Sequence, residues 1–125
     1  MNLNDLIAGQ DLDVLDNEVI DGLRELGGED DPGLVLELVE MFLDDAPKRL
    51  EEMNQGLDCG DFQLMQRAAH TLKSSAANMG AMVLSYVAKQ MEAAARSEDR
   101  EGYEGMVSAC REAYGASENA LKGIA

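Results

Sequence analysis

Apolar residues recur every three or four positions along almost the whole chain, and no stretch alternates as a half-buried strand would. This period lines up apolar side chains on one face of an α-helix. In a helix predicted from about Gly33 to Gly56, Pro47 removes one backbone donor and predicts a kink. The spacing indicates an all-α protein. The apolar stripe of this helix and of the turn that follows comprises Leu38, Val39, Phe42, Ala46, Leu50, Met53 and Leu57.

Capping residues and glycines divide the rest of the chain into further helices. Four long helices joined by short connections predict an antiparallel up-and-down four-helix bundle with a short additional N-terminal helix. We expect residues 1–15 to form a polar tail or a loosely docked arm, and residues 16–125 to form a single domain. The other helices are predicted from Asp16 or Asn17 to Leu26, from a cap at Asp61 to about Met79, from about Ala81 to Arg96 and from about Arg100 to Lys122.

The charge of the chain narrows the classes of partner. The 125 residues include 10 Lys plus Arg and 25 Asp plus Glu, a formal net charge of −15. This charge disfavours binding to nucleic acid or to an anionic membrane surface. Because no basic leader or membrane-spanning run is present, a cytoplasmic protein is expected. Cys59 and Cys110 are expected to be free thiols, and no metal site is expected because their spacing fits no zinc set.

The segment AAHTLKSSAANMGA, residues 68–81, contains the only histidine. On a helical wheel, His70 lies roughly 160° from the centre of the apolar arc, so we expect it to face water. Lys73 lies one turn further on the same face, where an ammonium group would attract a phosphoryl group on the ring. An ordinary solvated histidine remains an alternative. The same face is predicted to carry Gln63, Gln66, Arg67, Ser74 and Ala77, of which Ser74 and Ala77 are short enough to let another protein approach.

The sequence AHTLKSSAANMGA resembles the signature H-x-L-K-G-S-x-x-x-x-G of histidine-containing phosphotransfer (HPt) domains. The likeness extends from about Leu15 to Leu121 and includes the acidic GGEDDP turn. One position departs from the pattern, because Ser74 stands where the family usually has glycine. This serine is expected to narrow partner choice or slow transfer without abolishing it. The matching residues are His70, Leu72, Lys73, Ser75 and Gly80.

The resemblance implies a phosphocarrier that works between receiver-domain aspartates. It implies that His70 accepts the phosphoryl group and that Lys73 steadies the phosphoryl oxygens. Glu92 matches a position where relatives often carry a polar residue that orients the histidine. The implied partners are response-regulator receiver domains and a hybrid sensor histidine kinase. The chain itself is expected to be a monomer without a cofactor, and the Mg²⁺-dependent chemistry is expected in the receiver.

A helical bundle can also serve two other functions. A metal-binding bundle would need inward Glu-x-x-His pairs, but position 67 is Arg and no second histidine exists. The other candidate is a non-phosphorylated docking or scaffold protein that uses the bundle as a surface. The intact pair of His70 and Lys73 argues against this second candidate but does not eliminate it.

Overall fold

The computed structural model describes residues 2–124, and these residues form six α-helices and no strand. The all-α fold predicted from the apolar spacing is therefore confirmed. Met1 of the predicted tail and Ala125 of the predicted domain lie outside the described residues. The helices are α1 (Leu3–Leu6), α2 (Asn17–Gly27), α3 (Leu34–Cys59), α4 (Phe62–Asn78), α5 (Met82–Arg96) and α6 (Arg100–Lys122).

The four long helices α3, α4, α5 and α6 form the bundle. Each packs against the next along the chain, and α6 packs back onto α3, which closes the arrangement. Because the connections are only a few residues long, successive helices run antiparallel. The core consists of the inward stripes of all four helices, and its largest fully buried side chains include Tyr103, Met53, Met65, Leu72, Leu84 and Met91.

The helix α3 is longer than the sequence predicted. It continues through Pro47, which is exposed, and ends at Cys59 rather than near Gly56. Gly56 does not stop the helix; it lets α4 approach, because a Cβ atom there would lie 2.8 Å from Cγ of Met65. The chain reverses instead at Gly60, whose φ of 69° is in the left-handed region that glycine tolerates best.

The turn between α4 and α5 is tied to the start of α2. Gly80 has a φ of 76°, and its carbonyl accepts a 2.7 Å hydrogen bond from the backbone N–H of Asp16. A Cβ atom at Gly80 would lie 2.9 Å from the carbonyl oxygen of Asp16. Both the backbone conformation and the close approach therefore require glycine at this position. The carboxylate of Asp16 also caps α2 by accepting a hydrogen bond from the N–H of Glu18.

Residues 2–15 pack on the bundle rather than extending as a free polar tail. Helix α1 lies against α6, and the side chain of Leu3 is buried. The N–H of Val83 donates a hydrogen bond to the carbonyl of Asp13 and fixes the end of this segment to the start of α5. The division of the chain at residue 16 stays a prediction. The other apolar residues of the segment that pack against the core are Leu6, Ile7, Leu12 and Leu15.

Candidate functional site

His70 lies on the outer face of α4, as the helical wheel predicted. Its side chain is 59% exposed, whereas its neighbour Ala69 and the side chain of Leu72 are completely buried. The N-terminus of α4 is capped by the carboxylate of Asp61, which accepts a hydrogen bond from the N–H of Leu64. The imidazole is therefore carried on a well-anchored helix and remains accessible to another protein.

A buried carboxylate from α5 holds the histidine. Glu92 is only 5% exposed, and its Oε2 lies 2.6 Å from Nδ1 of His70. Its other oxygen, Oε1, accepts a 2.7 Å hydrogen bond from Nζ of Lys73. A third group, Nη2 of Arg96, lies 3.5 Å from Oε2. The structure thus brings together three of the predicted site residues, His70, Lys73 and Glu92, and adds Arg96.

The ionisation of Glu92 fixes the tautomer of the ring. Burial raises the pKa of the Glu92 carboxyl, but the hydrogen bonds and charges of Lys73 and His70 outweigh burial, so the pKa lies below its ordinary value. At neutral pH the carboxylate is ionised and can only accept hydrogen bonds. Nδ1 of His70 must then carry a proton and donate it to Glu92. In the neutral ring this leaves the lone pair on Nε2.

A shallow open depression of about 470 Å³ lies beside the ring. Three of the surface residues predicted from the sequence, Gln63, Gln66 and Arg67, line it together with His70. Ser74 and Ala77 do not line it: Ser74 is exposed on the next turn of α4, and Ala77 is half-buried. The remaining lining residues are Glu92 and Arg96.

Arg96 was missed by the sequence reasoning. It follows Glu92 by four residues on α5, a spacing at which an arginine and a glutamate commonly pair on a helix. That spacing could have identified the pair, but only after Glu92 had been placed at the site.

Close packing of α4 against α5 positions the glutamate beneath the histidine. The hydroxyl of Ser85 on α5 donates a 2.9 Å hydrogen bond to the backbone carbonyl of Lys73 on α4. On the far side of α4, the phenol of Tyr103 donates to the carbonyl of Met65. Small side chains let α4 and α5 approach closely. The buried alanines on these two helices include Ala69, Ala76, Ala88 and Ala95.

The groups at this site are an exposed imidazole, one buried carboxylate and the cations of Lys73 and Arg96. Across residues 2–124, no three His, Cys, Asp or Glu side chains are grouped so that they could hold a metal ion. In the same part of the chain, no helix combines the length and hydrophobicity that crossing a membrane requires. An accessible imidazole with a fixed tautomer and nearby cations is suited to accept and release an anionic group.

Comparison with known proteins identifies the family. The sequence model of the Hpt domain matches residues 37–120 of this chain. The chain belongs to the Hpt domain family. A search of curated protein sequences returned no significant match.

Solved structures agree with this assignment. The chain is similar to histidine-containing phosphotransfer protein B (HptB) from Pseudomonas aeruginosa PAO1, with 26% identity, a TM-score of 0.80, and coverage of 88% of this chain and 92% of that chain. It is also similar to the histidine-containing phosphotransfer protein ZmHP2 from maize, with 26% identity, a TM-score of 0.78, and coverage of 97% of this chain and 90% of the maize chain. A third similar structure is a rice protein of the same description, with 25% identity, a TM-score of 0.78, and coverage of 97% of this chain and 84% of the rice chain.

Hpt domains are phosphocarriers that interact with kinases and receiver domains, and histidine phosphotransfer in a phosphorelay is the function of this chain. The all-helical bundle expected from the resemblance is the fold observed.

Proposed function

We propose that this Hpt domain carries the phosphoryl group on Nε2 of His70, between the aspartates of receiver domains. The observation that carries this proposal is the contact between Nδ1 and the buried Glu92 carboxylate. It occupies one ring nitrogen and leaves the other as the nucleophile on an exposed ring. His70 is also the only histidine in the chain.

The transfer step needs little from the chain itself. Nε2 attacks the phosphorus of a receiver phospho-aspartate, the N–P bond forms, the P–O bond breaks, and the aspartate leaves as a carboxylate. The proton on Nδ1 stays between the ring and Glu92. Because the ring gains positive charge as the N–P bond forms, the adjacent carboxylate stabilises the product ring, as the aspartate does in a serine protease triad. The reverse sequence returns the phosphoryl group to a receiver.

Lys73 and the receiver supply the remaining charge stabilisation. The ammonium of Lys73 has three N–H donors and uses one on Glu92, so it can also donate to a phosphoryl oxygen. The divalent metal and the acidic pocket that phosphoryl transfer requires belong to the receiver in this proposal. Glu92 acts as a positioning residue, because it orients the ring without touching the phosphoryl group.

The receiver docks on the face of α4 around His70. Gln63, Gln66 and Arg67 border the depression, and their polar side chains can hydrogen-bond to a partner. Ser74 and Ala77 are short side chains further along the helix that allow a partner's backbone to approach. We further propose that the protein acts in the cytoplasm as a monomer and that a hybrid sensor histidine kinase is among its partners.

Phosphotransfer from a labelled receiver tests the proposal. Incubation with a phosphorylated receiver should give acid-labile, base-stable label on the wild type and none on His70→Gln. Equal labelling of the two proteins would refute the assignment of His70, and no labelling of the wild type by any receiver would favour a scaffold function.

The transfer rates of two lysine variants test the role of Lys73. Lys73→Ala should slow transfer about tenfold, because an oriented positive charge near the phosphoryl oxygens is lost. Lys48→Ala is the matched control, since Lys48 is exposed on α3 and does not line the depression. Similar rates for the two variants would remove Lys73 from the mechanism.

A further inference from the structure

The rim of the depression carries an excess of positive charge in a strongly acidic protein. Arg67 and Arg96 line the depression, whereas Glu92, to which Lys73 is bound, is the only acidic residue among the lining residues. With His70 neutral, the two arginines and the one carboxylate leave one positive charge in excess among the lining residues, and Lys73, which is bound to the same carboxylate, adds a second. The net charge of the whole chain is −15, so this concentration is contrary to the general composition.

The two arginines are available to a new ligand, but Lys73 is already engaged. Nζ of Lys73 lies 2.7 Å from the carboxylate in a half-buried position. Arg96 is 63% exposed and lies 3.5 Å from the same carboxylate, a long contact that costs little to break. Arg67 is exposed one turn before His70 and has no ion-pair partner among the described residues.

We infer that Arg67 and Arg96 form a two-sided binding site for the phosphoryl group on His70, with Arg96 leaving Glu92 to contact it. The inference rests on the proposed role of His70 and adds two residues to it. A phosphoryl group carries close to two negative charges at neutral pH, which matches the two positive charges that Arg67, Arg96 and Lys73 hold in excess of Glu92. Guanidinium groups donate paired hydrogen bonds that fit phosphoryl oxygens, and these two arginines come from neighbouring helices.

The test separates phosphoryl binding from receiver docking because it uses no receiver. The protein is phosphorylated with phosphoramidate, whose P–N bond breaks with release of ammonia as the N–P bond to His70 forms. The pH titration of the ³¹P chemical shift then reports the pKa of the phosphohistidine, in which the ring N–H and the phosphoryl group titrate as a coupled pair. Arg67→Gln and Arg96→Gln should each raise this pKa by about 0.5, because each removes a positive charge that favours the less protonated form. Arg111→Gln, an exposed arginine on α6 outside the depression, should match the wild type.

A second measurement uses a receiver. At equilibrium with a phosphorylated receiver, each of the two variants should hold about fivefold less phosphoryl group relative to the receiver than the wild type does. An unchanged phosphohistidine pKa in both variants would overturn the inference, even if transfer from the receiver slowed, because the arginines would then act in docking alone.

The failure of this inference is distinguishable from the failure of the proposed function. If His70→Gln still accepts a phosphoryl group from phosphoramidate, His70 is not the acceptor and both proposals fail. If only the wild type and the arginine variants are phosphorylated, the role of His70 stands, and the titration alone decides the role of Arg67 and Arg96.

Discussion

Replacing Glu92 with glutamine removes the charge from the carboxylate that joins α4 to α5. The amide has nearly the same shape, so the change tests the charge and the hydrogen bonds rather than the packing. Its single carbonyl oxygen can accept from Nδ1 of His70 or from Nζ of Lys73, but not in the two-oxygen arrangement that the carboxylate provides. Its NH₂ group then faces one of these donors and cannot pair with it.

The size of the effect follows from the exposure of the partners. A hydrogen bond to a charged group contributes about 1.5–3 kcal/mol when buried. His70 is well exposed and Lys73 is 29% exposed, so solvent screening reduces each contribution to about 1 kcal/mol. Burying a neutral amide costs less than burying the Glu92 carboxylate, and this difference offsets part of the lost hydrogen-bond energy. We expect Glu92→Gln to lower the free energy of unfolding at pH 7 by about 1–2 kcal/mol.

The effect should depend on pH. The pKa of the folded Glu92 carboxyl lies below the ordinary value of 4.5, because its two donors together outweigh burial. The folded state therefore prefers the ionised form more than the unfolded state does. The contribution of Glu92 to stability is complete above about pH 5 and is lost as the pH falls through its folded pKa.

Urea denaturation from pH 7 down to pH 3 measures this dependence. The stability difference between the wild type and Glu92→Gln should be largest at pH 7 and should shrink below pH 5. Glu112→Gln, at an exposed glutamate of α6, is the matched control and should change stability by less than about 0.5 kcal/mol. If Glu92→Gln were no more destabilised than Glu112→Gln at pH 7, or if its deficit stayed constant across the range, the assigned charge network would be wrong.

Three further experiments have definite expected outcomes. Gly80→Ala should destabilise the fold by at least about 2 kcal/mol in urea denaturation, because Gly80 has a positive φ and a close backbone contact. Gly105 on α6 has open space around it, so Gly105→Ala should stabilise the fold by about 0.5–1 kcal/mol. A thiol reagent should label Cys59 in the native protein and Cys110 only after unfolding, because burial raises the pKa of Cys110 to about 12; rapid native labelling of both would contradict this. Leu3→Ala should lower the free energy of unfolding by about 1–2 kcal/mol, and an unchanged urea midpoint would mean that α1 is not docked in solution.

Local patterns in the sequence were sufficient for most of the fold. The three- and four-residue spacing of apolar side chains identified the long helices, and the predicted caps Asp16 and Asp61 lie at the starts of α2 and α4 in the structure. The misplaced end of α3 has a physical reason, since Gly56 serves the contact with α4 and a glycine signal alone does not distinguish a helix stop from a close approach. The docking of Leu3 depends on α6, which is distant in sequence.

For the site, too, the sequence predicted the features of a single helix but not the contacts between helices. The outward orientation of His70 follows from one helix and could be predicted from its periodicity alone. The contacts of Glu92 depend on how α5 packs on α4, across 22 residues of sequence, and no periodicity specifies them. The family resemblance suggested a polar residue at Glu92, but not that one buried carboxylate would hold both His70 and Lys73 and lie near Arg96.

Phosphorylation should rearrange the rim of this site without disturbing the helix packing beneath it. Lys73 is held at 2.7 Å and is half-buried, while Arg96 is held at 3.5 Å and is largely exposed, so Arg96 is the partner that leaves Glu92 at lower cost. The link between α4 and α5 through Glu92 and Lys73 then persists in the phosphorylated domain. Amide chemical shifts should therefore change on phosphorylation around His70 and Arg96, and stay close to their original values at the buried contact of Ser85 with the backbone of Lys73. Large changes throughout α5 would mean that Lys73 is released as well, and that the carboxylate does not hold the two helices together during transfer.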